Sequence, residues 1–135
     1  MIQQRTDLDW LLRDLVETVP YARHAIVLSA DGLRLAQHGA DPDTADRLAA
    51  ACAGLQSLAH AVGQEFPYAD GRMRMVVIEV GGGFFYLMAA GSRAYLALLA
   101  DDGVDPGLVG AHMRDLVARV AEHLSTPART GEPRA

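Results

Sequence analysis

At 135 residues, half of them hydrophobic and 21% charged, the chain has the size and balance of one globular domain with a core of its own. A net charge of −5, with no run of basic residues, excludes the positive surface that nucleic-acid phosphates require. All 12 basic residues are arginine, so a P-loop and a Schiff-base lysine are both excluded, and the single Cys52 excludes a disulfide framework or a multi-cysteine zinc site.

The first predicted helix covers residues 7–19, where Leu8, Leu11, Leu12, Leu15, Val16 and Val19 recur at helical spacing, with Thr6 as N-cap and Pro20 as stop. Strands follow at residues 24–29 and 33–37, joined by Asp31-Gly32, because glycine accepts positive φ at little cost. The second helix opens on the cap pair Asp41-Pro42. Along it, Ala45, Leu48, Cys52, Leu55, Ala59 and Val62 form one buried seam. A second stripe of small residues, Ala50, Ala53, Gly54, Ser57 and Ala61, lies on another side, where a further backbone could approach. Three strands are predicted at residues 72–80, 84–90 and 94–100, with glycine-rich hairpins at 81–83 and 91–93 between them. Their nearly unbroken apolar runs imply burial on both faces of the sheet. The last helix begins at Asp105-Pro106 and is expected to bury Val109, Met113, Leu116, Val120 and Leu124. The fold class is therefore α+β in the order α-β-β-α-β-β-β-α. A five-stranded antiparallel sheet should carry the middle helix on one face and the terminal helices on the other. Residues 1–124 are read as one domain and 125–135 as a disordered tail.

No apolar run approaches the ~20 residues that cross a bilayer. The start, Met1-Ile2-Gln3-Gln4-Arg5, lacks the pattern of a signal peptide, so a cytoplasmic location without membrane insertion is expected. The glycines at 81–83 sit between strands and not before a helix, which makes them a turn and no phosphate cradle. Asp41, Asp43 and Asp46 lie in the first turns of a helix, where carboxylates favour the positive dipole end, and they lack the glycine and distal glutamate of a calcium loop. The five histidines form no chelating pair, and Cys52 lies in an apolar seam. No catalytic residue, metal site or cofactor is expected, and the chain is not read as an enzyme.

The strand at 72–80 is expected at a sheet edge, where Met73, Met75 and Val77 would leave an apolar, proline-free edge open to aggregation. Pairing it with its own copy protects it, and the small-residue stripe of the preceding helix would then meet its counterpart. The element order, the Asp-Gly hairpin, the small-residue helix leading into an apolar strand and the Pro-initiated last helix together resemble the Roadblock (dynein light-chain) family over residues 6–124. The likeness is strongest to bacterial members associated with a Ras-like small GTPase and a histidine-kinase-like protein. The resemblance implies a homodimer with one sheet continuous through both copies, and a helix platform on which such a GTPase docks. It implies remodelling of the GTPase's own loops, not insertion of an arginine. Asp46 and Arg47, near the start of the second helix, are the candidate platform contacts. An alternative from another class is a PAS- or GAF-like small-molecule sensor, its pocket lined by Phe84, Phe85, Tyr86 and Met88.

Overall fold

The computed structural model describes residues 2–91 and 93–125. Eight elements follow in chain order: α1 (Ile2–Thr18), β1 (Ala22–Ser29), β2 (Arg34–His38), α2 (Pro42–Gly63), β3 (Met75–Val80), β4 (Gly83–Ala90), β5 (Ala94–Asp101) and α3 (Pro106–Ser125). The strands form one antiparallel sheet in the order β2-β1-β5-β4-β3. The β1–β2 hairpin forms one half and the β3–β4–β5 meander the other, and β5 joins them by pairing with β1 through Ala25↔Leu98 and Ile26↔Ala97. α2 thus carries the chain from one edge of the sheet to the other. This is the expected α+β architecture.

The two faces are packed differently. On one, Leu8, Leu11, Leu12 and Leu15 of α1 and Val109, Met113 and Leu116 of α3 meet Val27, Tyr86, Leu96 and Leu98 in a core of large side chains. On the other, α2 contributes only Ala45, Ala49 and Cys52 as fully buried residues, set against Ile26, Leu28, Leu87 and Ala97. Small side chains let α2 lie close to the sheet. The four side chains of the alternative sensor pocket are divided between these layers. Phe84, Tyr86 and Met88 pack with α1 and α3, whereas Phe85 packs on the α2 side.

Several expectations need correction. α1 starts at Ile2, so Thr6 is inside the helix and not its cap. Val62, expected in the buried seam of α2, is 61% exposed, while Ala49 is buried in its place. The stripe therefore runs Ala45, Ala49, Cys52 with Leu48 and Leu55 at its margins, and it ends before the last turns of the helix. β3 begins at Met75, three residues later than its expected start at 72. The cause is the loop before it, which folds back on α2: a Cβ on Gly63 would sit 2.0 Å from the carbonyl oxygen of Gly71, itself at φ 63°. Only two glycines permit so close a backbone approach, and the chain straightens into a strand only after leaving it. Met73 accordingly lies outside β3 and packs with the α2-side cluster, whereas Met75 packs with the opposite one. The burial expected for Val120 and Leu124, and the tail after Ser125, lie outside the described side chains.

Because β5 joins the meander to the β1–β2 hairpin, its buried side chains stabilise the whole sheet. Leu98→Ala, which empties a fully buried position, is expected to lower unfolding free energy by about 2–5 kcal/mol in urea titrations.

Candidate functional site: an uncovered helix face beside an open strand edge

α2 is fixed at its start by its cap. The Asp41 carboxylate accepts hydrogen bonds from the Thr44 amide (2.8 Å) and from the Thr44 hydroxyl (3.1 Å), and these bonds hold its carboxyl below the ordinary carboxylate range. Arg47 donates from Nη2 to Thr44 Oγ1 (3.1 Å), and Arg34 of β2 donates from Nε to Asp46 Oδ1 (2.9 Å). The two residues singled out as platform contacts are thus both exposed and both engaged in local bonds. Asp46 ties the helix to the edge strand β2; Arg47 closes onto the cap.

One turn further on, the small-residue stripe faces outward. Ala50, Gly54, Ser57 and Ala61 are exposed, and a Cβ built on Gly54 would meet nothing within 4 Å. Ala53 is half-buried, at the margin where α2 passes the β1–β2 turn; a Cβ on Gly32 would lie 3.1 Å from the Ala53 Cβ. Two large side chains missing from the sequence reading of this stripe flank it, Leu58 (66% exposed) and Val62. Their spacing from Gly54, at i+4 and i+8, was the available signal: it places them on the same face of the helix. Among the described residues no part of the chain covers this face.

The second half of the site is β3. Among the described residues it pairs with β4 alone, from Met75↔Met88 to Val80↔Gly83, so its other side is an open edge. Val77 (48% exposed) and Val80 lie bare along it. Gly81 and Gly82 form the turn into β4, with Gly82 at φ 111°, as expected of a hairpin. An open groove of about 570 Å³ connects the two halves, lined among others by Ala59, Val62, Phe66, Met73, Met75 and Val76. Phe66 and Tyr68 of the intervening loop pack edge to face, their ring centres 6.0 Å apart. The groove brings Ala59 and Val62 near the end of α2 beside Met73, Met75 and Val76. Val77 stands opposite Tyr86 and so shares the α1/α3 face of the sheet with Met75, away from Gly54, Ser57 and Ala61. Asp46 and Arg47 stand apart, near the opposite end of α2.

The chemistry of this surface is that of contact. Its apolar side chains and unpaired strand backbone suit another polypeptide. Cys52 lies beneath it, fully buried, and burial pushes its thiol up to about 11, so it stays protonated at neutral pH.

Comparison with known proteins agrees with this architecture. The family model described as Roadblock/LC7 domain matches residues 8–100. A solved Roadblock/LC7 domain from Streptomyces avermitilis is 41% identical, with 86% of this chain and 96% of that one covered and a TM-score of 0.80. The gliding protein MglB of Thermus thermophilus superposes with a TM-score of 0.80 at 22% identity, over 89% of this chain and 90% of its own. MglB of Myxococcus xanthus follows at 0.75 and 16% identity, over 93% and 90%; at such identities the likeness is one of fold. No curated protein matches the sequence. The chain belongs to the Roadblock/LC7 domain family.

Proposed function

We propose that this protein is a homodimeric scaffold that binds a Ras-like small GTPase and modulates its nucleotide cycle or its location within a bacterial signalling complex in the cytoplasm. A histidine-kinase-like protein is a further partner in this reading. One observation supports the self-association: α2 exposes Leu58 and Val62 and the β3 edge exposes Val77 and Val80, apolar surface left to water beside an open groove. A solved relative at 22% identity is described as MglB with a tetrameric arrangement, which makes assembly familiar on this fold. A second copy paired through β3 extends the sheet and places two α2 helices side by side, with Asp46 and Arg47 of each at the rim. In this reading Arg47, which bonds Thr44 within its own helix, is a rim contact, and the partner's chemistry is left to the partner's own groups.

Sedimentation tests the dimer directly. The wild-type chain is expected to run as a dimer at micromolar concentration. Val77→Arg is expected to weaken association at least ~100-fold, equivalent to the roughly 3 kcal/mol or more of burying an unpaired charge. Gly54→Leu is expected to have a similar effect with helical circular dichroism unchanged, since the added Cβ meets nothing in the monomer. Both variants remaining dimeric would rule out this surface.

Capture of a purified Ras-like GTPase tests the second half. Retention that differs between GTP- and GDP-loaded forms supports regulation; equal retention supports a plain scaffold, and none rejects the GTPase reading. Asp46→Asn is the matched probe of the rim. Its ion pair with Arg34 is exposed, so stability in urea should move by less than about 1 kcal/mol, and weakened capture would report contact with the partner.

A further inference from the structure

The open edge of β3 carries enough information to fix the register in which two copies pair. The Ala89 amide donates to the Arg74 carbonyl (3.1 Å), and the two residues stand opposite each other, one step before Met75↔Met88. Hydrogen-bonded and non-hydrogen-bonded pairs alternate along an antiparallel ladder. Val76, Ile78 and Val80 therefore turn their N–H and C=O toward β4. Met75, Val77 and Glu79 turn theirs outward. The next ladder obeys the same parity, since the Asp102 amide donates to the Gly82 carbonyl at 3.0 Å and even-numbered residues of β4 bond β5.

Residues directly opposite in an antiparallel pair share a face of the sheet. When the strand opposite is a copy of itself, related by a two-fold axis, that axis must pass through a residue and not between two. Within Met75–Val80 the central choices are Val76, Val77 and Ile78. An axis through Val76 sets Glu79 against the partner's Met73, which has left the strand to pack with the α2-side cluster. An axis through Ile78 sets Met75 against the partner's Gly81, in the turn. It also makes the two Glu79 carboxylates diagonal neighbours on one face, a repulsive arrangement. An axis through Val77 leaves nothing over. Val77 pairs with itself, and Met75 pairs with the partner's Glu79, so every outward N–H and C=O of the three residues finds a partner.

We infer that the dimer axis passes through Val77, with Met75 of each copy opposite the partner's Glu79 and Val76 opposite the partner's Ile78. This rests on the self-association proposed above and deepens it from a surface to a register.

Single cysteines read the axis. In a Cys52→Ala background, checked for dimeric mass by sedimentation, mild copper–phenanthroline oxidation is applied to Val76→Cys, Val77→Cys and Ile78→Cys. Only Val77→Cys is expected to form a covalent homodimer readily. The other two, each roughly 7–8 Å from its own copy, should cross-link on the order of tenfold less. Mixing Val76→Cys with Ile78→Cys should restore cross-linking as a heterodimer, because that pair is directly opposed. If Val76→Cys or Ile78→Cys alone cross-links better than Val77→Cys, the axis lies elsewhere although the dimer stands. A dimer that cross-links in no combination is not built through β3. If the Cys52→Ala parent and the wild type both sediment as monomers, the underlying self-association fails as well.

Discussion

Backbone N–H and C=O groups need partners wherever water is kept away, and the two edges of this sheet meet that need in opposite ways. At β2 the edge is short and polar: Arg34, Gln37 and His38 line it, and the Arg34–Asp46 pair lashes it to α2. Water can solvate such an edge without exposing apolar surface. At β3 the strand reads Met-Val-Val-Ile-Glu-Val, with Glu79 its one charged side chain. Its outward amides are flanked by valines, so solvation of the backbone there leaves hydrocarbon in water. The asymmetry separates an edge finished by polar side chains from one left apolar and open.

The same asymmetry appears between the faces. Large side chains of α1 and α3 fill one side and give the domain most of its core. On the other side α2 sits low on alanines and a cysteine, which stabilise less by burial but bring the helix close to the sheet. A helix held by small residues beneath and presenting small residues above is thin in both directions. It can be covered by another backbone without a step in the surface. What makes α2 a modest contributor to the monomer's stability thus suits it to assembly.

Much of this was legible in the amino-acid order. Asp41-Pro42 and Asp105-Pro106 mark their helices because the cap side chain and the missing proline N–H act locally. The hairpin turns at 31–32 and 81–82 are likewise local, set by glycines free to take positive φ. The misreadings arise where the answer depends on distant chain. Val62 continues the periodicity of α2 perfectly well; periodicity says which side of a helix is apolar, not where the helix runs past the layer that covers it. Residues 72–74 look extended, and the contact that delays the strand is between Gly63 and Gly71, a tertiary approach with no signature in either neighbourhood. A stripe defined by small size sets Leu58 aside, although it is the large residue standing among the small ones. Asp46 looks solvated in sequence, since its partner Arg34 lies on a different element.

The backbone contact between Gly63 and Gly71 also separates what is fixed from what is free. The end of α2 and the approach to β3 are clamped main chain to main chain, with no side chain in the joint. The residues looped out between them are tied to it by main chain as well, the Phe66 amide donating to the Gly63 carbonyl at 3.0 Å, while the Phe66 and Tyr68 rings pack on each other. A short aromatic segment is thus held at a fixed main-chain contact, beside the open groove that Phe66 helps to line.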